Sequence, residues 1–260
     1  MSVYTFGIDI GSTTSKCVIL KDGSEIVANS LYTGGIGTAS PARARAEALI
    51  VAGLKEEEIA ASTATGYGRN RVENVKYNVS ELSCHALGAH MIFPEVRTII
   101  DIGGQDAKVI SLSEDGKMKD FLMNDKCAAG TGRFLDVMAS VLQIPVGDMS
   151  QMVRMARQPA QISSTCTVFA ESEVISQLAN GTPMEDILAG ICESVASRTA
   201  SLAKRIPIIP EVTMSGGVAQ NEGVRSALAR QLGVEIRYSQ LAQLFGAIGA
   251  ARYAYNKLQQ

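Results

Sequence analysis

Two stretches of this chain carry aspartate, glycine and lysine at one spacing. Residues 7–20 read Gly-Ile-Asp-Ile-Gly-Ser-Thr-Thr-Ser-Lys-Cys-Val-Ile-Leu, and residues 99–112 read Ile-Ile-Asp-Ile-Gly-Gly-Gln-Asp-Ala-Lys-Val-Ile-Ser-Leu. Overlaid, Asp9 meets Asp101, Gly11 meets Gly103 and Lys16 meets Lys108. A glycine at a strand end lets backbone N–H groups approach a phosphate with no Cβ in the way. An aspartate beside that turn can hold Mg²⁺, usually through water, because the ion keeps much of its hydration shell. Asp9 and Asp101 are therefore the expected Mg²⁺-shell carboxylates. Gly11, Ser12, Thr13, Thr14, Gly103, Gly104 and Gln105 are the expected phosphate contacts, with Gln105 also a candidate to position water. Lys16 reads either as a further phosphate contact or as a solvated strand residue. One copy alone would read as an ordinary β-hairpin; two copies in register point to a clamp on nucleotide phosphates.

A third glycine element follows a short strand pattern at 211–214. Ser215-Gly216-Gly217-Val218-Ala219-Gln220-Asn221 turns that strand into a helix over about 221–232, stopped by Gly233. Gly216, Gly217 and Gln220 are the expected adenosine-side contacts. The Walker pattern G-x-x-x-x-G-K-[ST] occurs nowhere, and no G-x-G-x-x-G follows the first strand.

Of five cysteines, two stand ahead of helical patterns. Cys127 lies in Asn-Asp-Lys-Cys-Ala-Ala-Gly-Thr-Gly (124–132), before an apolar periodicity that Pro145 ends. Cys166 lies in Ser-Ser-Thr-Cys-Thr (163–167), before a second periodicity closed by Asn180-Gly181. A helix start lowers a thiol's pKa and presents N–H donors to a bound anion. Two thiolates cannot complete a four-cysteine iron–sulfur site, whereas a two-fold dimer could. Spacing alone leaves the pair undecided between metal ligands and small buried hydrophobes. Cys17, Cys84 and Cys192 read as core. His85 and His90 are five apart, a poor spacing for joint ligation, and neither is assigned to metal.

The elements that must position these residues read as strand, glycine turn, strand, turn, strand, twice over. Lys21-Asp22-Gly23-Ser24 and Ser113-Glu114-Asp115-Gly116 supply the second turn of each copy. Thr182-Pro183-Met184-Glu185 reads as a capping box opening the helix of Cys192. The last helix, about 241–257, carries Gly-Ala-Ile-Gly-Ala-Ala (246–251), small residues suited to close interdomain packing. The chain has 260 residues, 46% hydrophobic, with 24 basic against 26 acidic side chains. That balance gives no basic face for nucleic acid. No apolar run approaches a membrane span, and the start has no signal-peptide pattern, so a cytoplasmic protein is expected. An odd cysteine count without a secretory signal argues against a disulfide framework.

The hairpins around Asp9 and Asp101, with the motif at 215–217, resemble the ATPase superfamily of acetate and sugar kinases, heat-shock chaperones and actin. That resemblance implies an α/β, actin-like, ribonuclease-H-like duplicated fold. It has two lobes, each with a mixed five-stranded sheet and flanking helices, and a nucleotide in the cleft between them. Residues 1–95 would form an N-terminal lobe on which the C-terminal helix packs back. Residues 96–260 would form a C-terminal lobe with the second hairpin, the cysteine helices and the adenosine motif. Asp-Lys-Cys-Ala-Ala-Gly-Thr-Gly-Arg-Phe (125–134), Cys-Thr-Val-Phe-Ala-Glu-Ser-Glu-Val (166–174), Ala-Thr-Gly-Tyr-Gly-Arg (64–69) and Asp-Ile-Gly-Gly-Gln-Asp (101–106) further resemble the activators of 2-hydroxyacyl-CoA dehydratases. This implies a homodimer with one 4Fe–4S cluster on Cys127 and Cys166 of both copies, and ATP/ADP with Mg²⁺ in each cleft. It also implies reduced ferredoxin or flavodoxin as electron donor. A dehydratase, of the 2-hydroxyglutaryl-CoA kind, would be the acceptor; neither nucleic acid nor membrane is a partner. ATP would close the lobes and move the two cysteine-led helices. The rival readings are a small-molecule kinase of the same fold, a nucleotide-gated interaction module, and structural zinc at the two cysteines.

Overall fold

The structure, a computed structural model, describes residues 2–162 and 166–260. Ser163, Ser164 and Thr165, which precede Cys166 in its motif, lie outside the described residues. Two five-stranded sheets form. The first orders β3(Glu25–Thr33), β2(Thr14–Lys21), β1(Tyr4–Ile10), β4(Ile59–Thr65) and β5(Tyr77–Asn78). The second orders β8(Met118–Asn124), β7(Ala107–Leu112), β6(Thr98–Ile102), β9(Val212–Ser215) and β10(Ile236–Arg237). Each sheet opens with an antiparallel hairpin, β1–β2 or β6–β7, and adds parallel β4 or β9 to the hairpin's first strand. The repeat in the sequence is thus a repeat of topology, and this is the actin-like ATPase fold.

The helices are α1(Ser40–Ala52), α2(Glu81–Ile92), α3(Gly132–Val141), α4(Met149–Val153), α5(Thr167–Ala179), α6(Met184–Ala203), α7(Glu222–Leu232) and α8(Phe245–Leu258). Among the described residues no helix is long and apolar enough to cross a membrane. The chain divides into two compact units: Met1–Arg97 with Leu112–Asp120 and Ser239–Gln260, and Thr98–Ser111 with Phe121–Tyr238.

In the first unit, alternation along β1 sends Phe6, Ile8 and Ile10 to one face. There they pack with Cys17 and Ile19 of β2 and with Ala44 and Ala48, one turn apart on α1. The opposite face of β1 meets α8. A Cβ on Gly7 would stand 2.1 Å from the carbonyl oxygen of Ala247, and one on Gly249 would stand 1.8 Å from that of Cys84. The small residues of α8 therefore serve backbone-to-backbone packing on α2 and β1 inside this unit. This corrects the interdomain reading. The hairpin turn at Asp22-Gly23 has φ of 50° and 73°, positive at both central residues, as a two-residue turn between twisted strands requires.

In the second unit, α6 is buried along most of its length and packs on α7. The capping box at its start does not form. Pro183 is the N-cap, and Thr182, one residue too early, donates its hydroxyl to Gln177 Oε1 at 2.7 Å. Helix α7 begins as expected, with the Asn221 side chain accepting from the Val224 amide and Gly233 closing it at φ 67°.

Candidate functional site

In the first unit the turn between β1 and β2 closes through Gly11 N donating to Thr14 O at 3.0 Å. That closure makes Asp9 and Lys16 direct cross-strand partners, and such partners point to one face. Lys16 Nζ lies 3.1 Å from Asp9 Oδ2, with Asp9 3% and Lys16 8% exposed. Lys16 is therefore not a solvated strand residue; a lysine drawn from water needs a charged partner, and Asp9 supplies it. Ser12, Thr13 and Thr14 present half-buried side chains on the turn. The Asp9 carboxylate fills space that two glycines leave open. A Cβ on Gly66 would meet Oδ1 at 2.4 Å, and one on Gly246 would meet Oδ2 at 2.9 Å and His85 Nε2 at 3.0 Å. His85, buried in α2, thus stands beside this carboxylate, a neighbour that its spacing from His90 does not reveal.

The second turn repeats the geometry. Gly103 N donates to Asp106 O at 2.9 Å, and Asp101 faces Lys108 across the hairpin. Lys108 Nζ lies 3.2 Å from Asp101 Oδ2 and 2.7 Å from Asp106 Oδ2. All three groups are buried. Gln105 is exposed at the tip. Because β6 and β9 run parallel with Asp101 opposite Ser215, the third glycine element lies beside this turn. A Cβ on Gly216 would stand 2.9 Å from Asp101 Oδ1. The fold thus gathers Asp101, Gly103, Gly104, Gln105, Gly216 and Gly217 in one unit. Gln220 accepts a hydrogen bond from Tyr238 Oη at 2.6 Å, and the Arg225 guanidinium lies 3.8 Å over the Tyr238 ring. Burial lowers the Arg225 pKa from its ordinary value. Tyr238 and Arg225 carry no motif that would have singled them out.

The two cysteines differ from the expectation. Cys166 is the N-cap of α5. Cys127 lies in the loop between β8 and α3, four residues before the N-cap Thr131. Only Cys166 therefore stands directly at a helix start. The first amides of α3 are also not open to an anion. Gly132 N donates to Gly103 O and Arg133 N to Gly104 O, each at 2.8 Å. The start of α3 is thus fastened to the second glycine turn, and α3 packs on α5. Cys127 and Cys166 are free thiols, half-buried, while Cys17, Cys84 and Cys192 are buried. Among the described residues no group of three or more His, Cys, Asp or Glu could hold a metal within one chain. Two accessible thiols are half of a four-thiolate set, so the donors fit an iron–sulfur cluster shared between two copies. The buried carboxylates of Asp9 and Asp101, hard oxygen donors beside glycine turns, fit Mg²⁺.

Two duplicated sheets, each opening on a glycine turn with a buried lysine–aspartate pair, define an ATPase of the actin-like class. The model of the BadF/BadG/BcrA/BcrD ATPase family matches residues 6–254, and the chain belongs to that family. It is 60% identical over 258 residues to the (R)-2-hydroxyglutaryl-CoA dehydratase activating ATPase of Acidaminococcus fermentans, covering 99% of each chain. The crystal structure of component A of that organism's dehydratase superposes with a TM-score of 0.97 at 59% identity, over the full length of both chains. The activator of the 2-hydroxyisocaproyl-CoA dehydratase from Clostridium difficile, solved with bound ADPNP, also gives 0.97, at 51% identity over 99% of this chain and 96% of that one.

Proposed function

We propose that this chain is the ATP-hydrolysing activator of a 2-hydroxyacyl-CoA dehydratase, of the 2-hydroxyglutaryl-CoA kind, and works as a one-electron donor. The observation that carries the reading is the fastening of α3 to the second glycine turn through the Gly132 and Arg133 amides. A turn that meets nucleotide phosphate is thereby joined by backbone bonds to the helix behind the Cys127 loop.

Gly11, Ser12, Thr13, Thr14 and Lys16 at the first turn, and Gly103, Gly104 and Gln105 at the second, contact phosphate. Gly216, Gly217 and Gln220 take the adenosine side. Asp9 and Asp101 hold Mg²⁺, which offsets phosphate charge, and Gln105 orients the attacking water. Cys127 and Cys166 of two copies would hold a 4Fe–4S cluster, which supplies the single-electron chemistry. Val168 and Phe169, beside Cys166, are 67% and 64% exposed, and apolar surface at that place supports a homodimer. Exchange of ATP for ADP at Gly103-Gly104 is felt at α3 through its two amides. The chain takes one electron from a reduced ferredoxin or flavodoxin in the cytoplasm. It passes that electron to the dehydratase, and hydrolysis of ATP gives the transfer its direction.

The reading is tested by mixing the anoxically purified chain with 2-hydroxyglutaryl-CoA dehydratase, dithionite and MgATP. Dehydration should require all four components and disappear with Asp101→Asn. A dehydratase indifferent to the chain, or phosphate transfer from ATP to a small acceptor, would defeat it.

A further inference from the structure

The two glycine turns are closed by the same backbone bond, Gly11 to Thr14 in one and Gly103 to Asp106 in the other. In both, a lysine faces the strand-end aspartate. They differ in the closing residue, which is Thr14 in the first turn and a second carboxylate, Asp106, in the other. Lys108 consequently serves two carboxylates, and its shorter contact, 2.7 Å, goes to Asp106. Lys108, Asp101 and Asp106 are 3%, 2% and 4% exposed. A charge-assisted bond at that distance, out of water, is about twice as strong as a neutral one. The other oxygen of Asp106 lies against the first residue of the turn: a Cβ on Gly103 would stand 2.4 Å from Oδ1. The lysine therefore presses a carboxylate onto the glycine that the turn begins with.

What hangs on each turn also differs. Gly103 O and Gly104 O accept from the first two amides of α3, whereas Gly11 O accepts from the loop residue Ile36 at 3.3 Å. The extra carboxylate stands in the half of the repeat from which a helix is suspended. We propose that Lys108 is a positioning residue: through Asp106 it fixes the Gly103-Gly104 turn, so that a displacement there is delivered to α3 instead of being absorbed by the turn. The proposal rests on the reading above that this turn meets nucleotide phosphate.

Removing the lysine outright leaves two carboxylates buried together, so a failure of Lys108→Met to fold would not distinguish positioning from stability. The sharper variant is Asp106→Asn, which keeps the side-chain shape, the turn-closing backbone bond and the Lys108–Asp101 pair. Amide hydrogen exchange on the full-length dimer reads the helix start directly. In Asp106→Asn, exchange at residues 132 and 133 should rise about tenfold, the scale of one weakened charge-assisted bond, with β6 and β7 unchanged. The kcat for ATP should fall by more than KM rises. Lys108→Arg, which keeps the charge and two donors, should stay within about twofold of wild type in exchange. Unchanged exchange at 132 and 133 would overturn the proposal. So would a rise spread through β6 and β7, because that marks a merely structural role. Exchange is measured without reductant or dehydratase. A chain that holds no iron and activates no dehydratase would defeat the proposed function while leaving this result to stand by itself.

Discussion

The amide of Arg133 donates to the carbonyl of Gly104 at 2.8 Å, so the second residue of α3 is bound to the tip of a glycine turn. First-turn amides have no partner inside their own helix. This bond and its neighbour from Gly132 to Gly103 therefore tie a helix to a turn without weakening either.

That relationship can be cut at one atom. Arg133→Pro removes the N–H, and a first-turn proline costs the helix no internal bond. ATP hydrolysis should be retained, and ATP-dependent activation of the dehydratase should fall by about tenfold, the scale of one hydrogen bond. Parallel assays of phosphate release and acyl-CoA dehydration check this. Equal losses in both would mean that the bond does not link nucleotide to helix.

Alkylation should sort the five cysteines. Burial pushes the thiols of Cys84 and Cys192 up to about 12 and that of Cys17 higher still. The thiolate is the reactive form, and at pH 8 a thiol with such a pKa is ionised to only about one part in ten thousand. Iodoacetamide added to iron-free protein should mark Cys127 and Cys166 and spare the other three until the chain unfolds. Peptide mapping by mass spectrometry reads the result. Modification of Cys192 at the rate of Cys166 would contradict it.

The packing of α8 makes a stability prediction. A methyl at Gly249 would stand 1.8 Å from the backbone oxygen of Cys84, while one at Gly147 meets nothing within 4 Å. Gly249→Ala should cost about 3 kcal/mol or more, since backbone cannot move aside as a side-chain tip can. Gly147→Ala should be neutral within about 1 kcal/mol. Thermal unfolding of the two variants decides, and equal midpoints would show that α8 does not pack as described.

The duplicated sheet was legible because Asp9-to-Lys16 and Asp101-to-Lys108 repeat one spacing, and a spacing of seven across a tight turn makes cross-strand partners. The turn at Asp22-Gly23 and the α7 stop at Gly233 were legible for the same local reason. What pairs across distance was not. Lys16 could be read as solvated because nothing local announces that its partner Asp9 is packed against Gly66 and against Gly246 of α8. His85 reaches Asp9 only because α2 and α8 pack through Gly249. The α3 amides looked open to an anion because their acceptors, Gly103 and Gly104, lie about thirty residues away in the chain. Thr182 looked like a cap, but its hydroxyl found Gln177 instead.

In the function proposed above, two copies of this chain share one iron–sulfur cluster on Cys127 and Cys166. The most direct measurement is iron and acid-labile sulfide per dimer after purification without oxygen. A shared cluster gives about four of each, lost in Cys127→Ser and in Cys166→Ser. A colourless ATPase with neither element, or a dimer holding zinc and no labile sulfide, would contradict it.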